Sequence, residues 1–275
     1  MKLEDFSFRL GNKELKPLII GGMGVNISTR EMALEAARLG GIGHISDAML
    51  PSVCDKILGT NFTSKKAKAQ RIYMNSIDKS QDVISSEMLR EAALLYTRPI
   101  MEQKKGDGLV FVNCMEKLTM NDPLRTLKAR LNALMDAGID GITLGAGLHM
   151  ASLSLMEDNP RFRDVKIAVS LYDDAFPGEL DAGFRAKVEH EGVQDENLKI
   201  LDNSSYQNLM RFVMDYADGI VLASEGVDAA RTLREGGRGD VRGQGHGVLV
   251  GKPVLEYQAP EAEGFDNYNK FYEEL

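Results

Sequence analysis

Short apolar runs alternate with segments of helical periodicity along this chain. Seven runs predict strands, at residues 17–21, 41–45, 108–114, 141–145, 165–171, 219–223 and 253–257. Most are nearly continuous in apolar residues, as strands covered on both faces of a parallel sheet should be. Their alternation with helical segments is the βαβ pattern.

Between the strands the apolar spacing changes to three and four. Ser28 followed by Glu31 is a capping-box start, Met32, Leu34, Ala37 and Leu39 supply an apolar face, and Gly40 with Gly41 ends the helix. A second helix is predicted from about Asp122, with Pro123 in its first turn. Leu124, Leu127, Leu131 and Leu134 form its buried stripe, and Gly138 stops it. Further helices are expected over 205–216 and 266–274. Residues 60–105, rich in Lys, Ser, Met and Glu, are expected as outer helices broken near Ser80 and Pro99.

Composition narrows the class. The 275 residues are 43% hydrophobic and 27% charged, enough for one α/β barrel or two smaller domains. Lys and Arg total 33 against 41 Asp and Glu, a formal charge of −8, which disfavours nucleic acid as a partner. Cys54 and Cys114 are the only cysteines and stand at no metal-ligand spacing, so reduced thiols are expected and no metal site. The first ten residues lack the apolar core of a signal peptide, and no run reaches the roughly 20 residues that cross a bilayer. A cytoplasmic protein with no membrane partner and a small-molecule substrate is the expectation.

The most informative segment is PLIIGGMGVNISTREMALEAARLGGIGHIS at residues 17–46. Gly21, Gly22 and Gly24 follow a predicted strand, where missing Cβ atoms let a flat ligand approach the backbone. In α/β folds that strand end is the usual ligand side. A tight turn would use the same glycines. The segment resembles the opening of the nitronate monooxygenases, FMN-binding TIM barrels. Three further pieces match in the family's order: FVNCM at 111–115, AGIDGITLGAGL at 137–148 and the run ending DVK at 164–166.

Over about residues 1–166 the resemblance implies a barrel-like FMN domain, incomplete or altered. It sets Gly21, Gly22 and Met23 against the isoalloxazine ring through backbone groups. It makes Asn113 a hydrogen-bond partner of the flavin, brings Lys166 to its polar edge, and lines the substrate pocket with Gly145, Ala146 and Gly147. His149, following that loop, is the candidate base near neutral pH. Core packing for Met23, strand-end satisfaction for Asn113 and solvation for Lys166 are the competing structural readings. His44, inside an apolar strand, reads as a hydrogen-bonded core residue.

The family's Gly-Gly-His loop and phosphate-binding loops do not follow Lys166. Residues 160–275 instead resemble the amino-terminal domain of bacterial glycogen (starch) synthases. The matching pieces are NPRFRDVKIAVSLYDDAFPGEL, DYADGIVLASEGV, GKPVLEYQAPE and YNKFYEEL. That resemblance implies Rossmann-like strand and helix units over 167–275, but the Lys-x-Gly-Gly loop and the second domain of those enzymes are missing. Asp173, Asp174, Ser224 and Glu225 then read as strand-end and capping residues.

The chain is therefore composite, with a crossover between Asn159 and Lys166. Residues 236–251, GGRGDVRGQGHGVLVG, read as a surface loop or, through Arg238, Arg242, His246 and backbone N–H groups, as a phosphate cradle. The leading expectation is an FMN-dependent oxidoreductase of the nitronate monooxygenase type. Its rivals are a non-catalytic composite that self-associates through an unclosed sheet edge, and a carbohydrate-binding fragment of synthase ancestry.

Overall fold

The computed structural model describes residues 6–78, 85–115, 123–146, 149–190, 196–225, 227, 252–259, 261 and 266–275. It divides into two compact units. The first comprises the segment before Phe8 together with Lys13–Arg163; the second comprises Phe8–Asn12 and Asp164–Leu275. Strand β1 (Phe8–Leu10) accordingly belongs to the second unit and β2 (Lys13–Leu15) to the first.

The first unit is built on a parallel sheet of β3 (Ile42–Ser46), β4 (Leu109–Met115) and β5 (Gly141–Ala146), in that order. Register runs from Ile42 opposite Leu109 to Ser46 opposite Asn113, and Asn113 lies opposite Thr143. Residues 17–21 were expected as a full strand but contribute only a parallel bridge of Ile19 to Ile42. Pro17 offers no N–H to a ladder, and the glycines at 21 and 22 turn the chain away immediately afterwards.

Helix α1 (Arg30–Arg38) lies directly on β3 and β4. Contact this close is possible because Ala33 and Ala37 face Gly43 and Gly108. Its N-cap is Thr29, whose Oγ1 accepts from the Met32 N–H, rather than the expected Ser28. Ser28 is drawn instead into the preceding loop, as described below.

Helix α2 (Leu50–Leu58) follows β3, α3 (Phe62–Asn75) packs on it, and α4 (Ser86–Gln103) packs against α2 and α5 (Pro123–Asp136). The break expected near Pro99 does not occur, because α4 runs through it. Proline removes one helical hydrogen bond, but Tyr96, Thr97 and Ile100 around it are buried and hold the turn. The break expected near Ser80 lies outside the described residues. Leu127, Leu131 and Leu134 of α5 are buried against the sheet, as their spacing predicts, with Val110 and Val112 in the same core. Burial of each leucine contributes roughly 1.5–3 kcal/mol. Helix α6 (His149–Ser154) packs on α5.

Asp55, in the last turn of α2, caps the start of α3. Its Oδ1 accepts from Thr60 Oγ1 at 2.6 Å and the Phe62 N–H at 2.7 Å, and its Oδ2 from the Thr63 N–H at 2.8 Å and the Thr63 hydroxyl. Desolvation opposes ionisation, but these bonds outweigh it and hold the carboxyl at about 2, below its ordinary 3.8. A depressed carboxyl contributes stability that is complete above the unfolded value and is lost as pH falls through the folded one. The urea midpoint of the protein should therefore exceed that of Asp55→Asn by a constant amount above about pH 4. The difference should shrink towards zero by about pH 2. A gap unchanged across that range would show that Asp55 stabilises through something other than its charge.

The second unit carries its own parallel sheet, β6 (Ala168–Leu171), β7 (Gly219–Leu222) and β8 (Val254–Leu255). Leu171, Met214, Ile220 and Leu222 form its core, with α8 (Tyr206–Tyr216) supplying Met214. Asp218 Oδ2 accepts from the Ile167 N–H at 2.9 Å, and Lys252 Nζ donates to the Met214 and Asp215 carbonyls, closing the end of α8. Helix α7 (Phe184–His190) precedes α8. Helix α9 (Asp266–Glu274) packs on β1, where Asn269 Oδ1 accepts from the Arg9 N–H and Glu273 pairs with Arg9. The fold is thus mixed α/β with parallel sheets. Among the described residues each parallel sheet has three strands and stays open, whereas a complete barrel closes on eight.

Candidate functional site

The carboxyl ends of β3, β4 and β5 gather most of the residues singled out in the first part of the sequence. Asn113, near the end of β4, donates from Nδ2 to the Gly22 carbonyl at 2.8 Å. Gly22 itself fits against the strands with no room to spare, because a Cβ there would lie 2.5 Å from Asn113 Cβ and 3.1 Å from the Ile45 carbonyl oxygen. Gly21 is different, since a Cβ there would meet nothing within 4 Å.

Ser28 ties the loop shut. Its hydroxyl accepts from the Met23 N–H at 2.8 Å and donates to the Gly21 carbonyl, while its own N–H donates to the Met23 carbonyl at 3.0 Å. The N–H groups of Gly21 and Gly22 take no acceptor among the described residues. Met23 is 59% exposed, so the core-packing reading of it does not hold; Val25 and Ile27 next to it are exposed as well. The result is an open ledge with an apolar rim and two backbone donors.

His44 is buried under this ledge, Nδ1 lying 2.7 Å from the Ile20 carbonyl and the ring edge-on to Phe111 at 5.4 Å. Burial lowers its pKa, with the Ile20 bond opposing, so the ring is neutral at pH 7. It is a hydrogen-bonded core residue, as its apolar strand implied.

Behind β3 lies a pair that sequence reasoning missed. Asp47 follows β3 directly, and its side chain is 0% exposed; it is paired with Arg130 of α5, which is 13% exposed. Desolvation brings the guanidinium down to about 10. The Asp47 N–H donates to the Asn113 carbonyl at 3.1 Å. The available signal was a cation, Arg130, set among Leu127, Leu131 and Leu134 on a buried stripe, where a charge needs a partner.

The remaining candidates divide. Gly145 and Ala146 end β5, with Ala146 opposite Met115 across a register shift, so the backbone expected to border a substrate lies beside the end of β4. Gly147 lies outside the described residues, as do all of residues 236–251, Arg238, Arg242 and His246 among them. His149 opens α6. Lys166 belongs to the second unit, where its ammonium is 61% exposed and 3.9 Å from Asp218. Asp174, after β6, accepts from the Tyr206 hydroxyl at 3.1 Å and helps push that phenol, after desolvation, up to about 12. Burial pushes Cys54 up to about 11 and Cys114 up to about 12, which favours the protonated thiol over the nucleophilic thiolate at neutral pH. A separate depression of about 420 Å3 along α3 is lined by Lys68, Arg71, Ile72, Asn75 and Ser76, with no carboxylate, imidazole or thiol among them.

Among the described residues no helix is long and apolar enough to cross a membrane, and no group of three His, Cys, Asp or Glu is placed to hold a metal ion. No protein-family model matches the chain, and a search of curated proteins returns no match.

Proposed function

We propose that this chain is an FMN-dependent oxidoreductase of the nitronate monooxygenase type, acting on a small molecule in the cytoplasm. On this reading its first part is an altered, unclosed relative of the family's barrel. The last part is a Rossmann-like unit of glycogen synthase ancestry. One observation carries the proposal: the Asn113 amide bonded to the Gly22 carbonyl at 2.8 Å. The pair is 91 residues apart in sequence, and the resemblance to the nitronate monooxygenases assigns both residues to the flavin.

The ring end of the cofactor fits the residues present. A Cβ at Gly21 would meet nothing within 4 Å, which leaves the backbone there open to a ring, and the Gly21 and Gly22 N–H groups would donate to its polar atoms. Met23 supplies apolar contact. With Nδ2 engaged by Gly22, Asn113 keeps Oδ1 as an acceptor. Among the described residues the phosphate end has no matched donor set, Arg130 being paired with Asp47.

FMN, when bound, supplies the electron transfer from a carbanionic substrate and the subsequent reaction with dioxygen. The chain's own residues then have simple roles. Gly21, Gly22 and Asn113 orient the ring through fixed donors and an acceptor. Gly145, Ala146 and Gly147 border the substrate. His149 holds the proton released by a carbon acid.

Titrating the full chain with FMN and with riboflavin tests the proposal. Both should bind and perturb the flavin absorbance, and nitronate-dependent oxygen uptake should follow with FMN. Even one charge-assisted hydrogen bond to the phosphate would separate the two affinities by about tenfold or more. The described residues alone predict no such separation. Absence of both binding and oxygen uptake would remove the enzyme reading. The protein would then be a non-catalytic composite.

A further inference from the structure

We infer that Asp47 and Arg130 are a positioning pair, which fixes Asn113 against the glycine loop and so shapes the ledge. The inference deepens the flavin reading and rests on it for its functional meaning. A contiguous path runs from α5 to the loop. Arg130 pairs with the Asp47 carboxylate, the Asp47 N–H donates to the Asn113 carbonyl at 3.1 Å, and Asn113 Nδ2 donates to the Gly22 carbonyl at 2.8 Å. Asn113 is therefore held at its main chain by the Asp47 N–H, which continues the β3–β4 ladder; the ion pair fixes where that N–H sits, and Asn113 in turn holds Gly22 through its side chain.

Two physical arguments make this more than packing. A buried ion pair contributes little net stability, because desolvation of both charges offsets their attraction, and apolar residues of similar size often serve as well or better. Charges placed where Asp47 is 0% and Arg130 13% exposed therefore point to a geometric role. The geometry is also intolerant. With a Gly22 Cβ position only 2.5 Å from Asn113 Cβ, the loop touches the strand directly, and a shift of a few tenths of an ångström in β4 moves the Gly22 bond with it. Ser46 reinforces the same turn by accepting the Ala48 N–H at 3.2 Å.

The double variant Asp47→Leu/Arg130→Met separates positioning from stability. It removes both charges and leaves an apolar pair, so the melting temperature of the full chain should be kept or raised. The readout is the Asn113 side-chain amide, followed by NMR without flavin and assigned by its disappearance in Asn113→Asp. Its protons should exchange about tenfold faster or more in the double variant, as expected for a released hydrogen bond. FMN affinity should fall by a similar factor.

A folded double variant with an unchanged Asn113 amide would overturn the inference. If the double variant does not fold, Arg130→Lys keeps the charge while losing the guanidinium fork. It should then show an intermediate exchange rate, and a wild-type rate would overturn the inference equally. Should the wild-type protein bind no flavin, the reading of function fails, while the amide exchange still decides whether the pair positions Asn113.

Discussion

Replacing Gly43 by alanine should destabilise the first unit by about 3 kcal/mol. Gly43 sits in β3 in ordinary extended backbone, so the effect does not arise from φ. A Cβ at Gly43 would lie 2.3 Å from the Ala33 carbonyl oxygen, 2.5 Å from Ala33 Cα and 2.7 Å from its carbonyl carbon. These are backbone atoms of α1 and no rotamer change can move them. The helix must lift off the sheet, and with it Ala33 and Ala37, both fully buried. Gly108 repeats the arrangement against Ala37, so α1 cannot rock towards β4 to make room.

Because the protein has two units, the measurement should be local. Amide exchange of Ile42–Ser46 should accelerate in Gly43→Ala, while that of Gly219–Leu222 in the second unit should not. Gly21→Ala is the matched control, since a Cβ there meets nothing within 4 Å. Equal exchange in Gly43→Ala and the control would mean that α1 is not seated as described.

What the sequence made legible follows from which residues carry local signals. The leucine stripe of α5 and the glycine stop at Gly138, where φ is +82°, predicted that helix nearly to its ends. The cores of β3, β4, β5 and β7 were readable because strands buried on both faces leave no polar alternation. The predicted strand at 165–171 shrank to Ala168–Leu171, since Val165 is exposed and Lys166 is solvated. Helix α2 gave no clear signal. Its N-cap Met49 has φ +56° and no capping side-chain bond, and Pro51 in its first turn looks locally like a breaker. β1 is three residues long and is secured by α9 more than two hundred residues later, so nothing near it in sequence marks it.

The site shows the same division. Glycines after a strand flagged the ledge, and the Asn113 strand could be picked out, but Ser28 was misassigned. Its spacing to Glu31 fits a capping box, and only the folded loop reveals that Met23 and Gly21 compete for its hydroxyl. Thr29, one residue later, takes the capping role it leaves. The Asp47–Arg130 pair spans 83 residues, and no local rule joins such partners.

Alanine at Gly21 and at Gly22 should separate a flavin ledge from a mere turn. At Gly21 the folded protein has no atom to clash with, so stability should stay within about 0.5 kcal/mol of wild type. A ring lying over that position would nevertheless meet the new methyl group, and FMN affinity should fall by about tenfold, which corresponds to about 1.4 kcal/mol. At Gly22 the methyl group would press on Asn113 Cβ and the Ile45 carbonyl, both part of the sheet, so the loop must move and the Asn113 bond should open. Stability should drop by about 1–3 kcal/mol there, and affinity should fall with it. Calorimetry on both variants together with flavin titration separates the two effects. The contrast at Gly21, affinity lost without stability lost, is the outcome only a ligand can produce, because no protein atom stands there to register the change. If Gly21→Ala binds FMN as tightly as the wild type, the ring does not lie on this ledge. The glycines then serve only to bring the loop down onto β3 and β4.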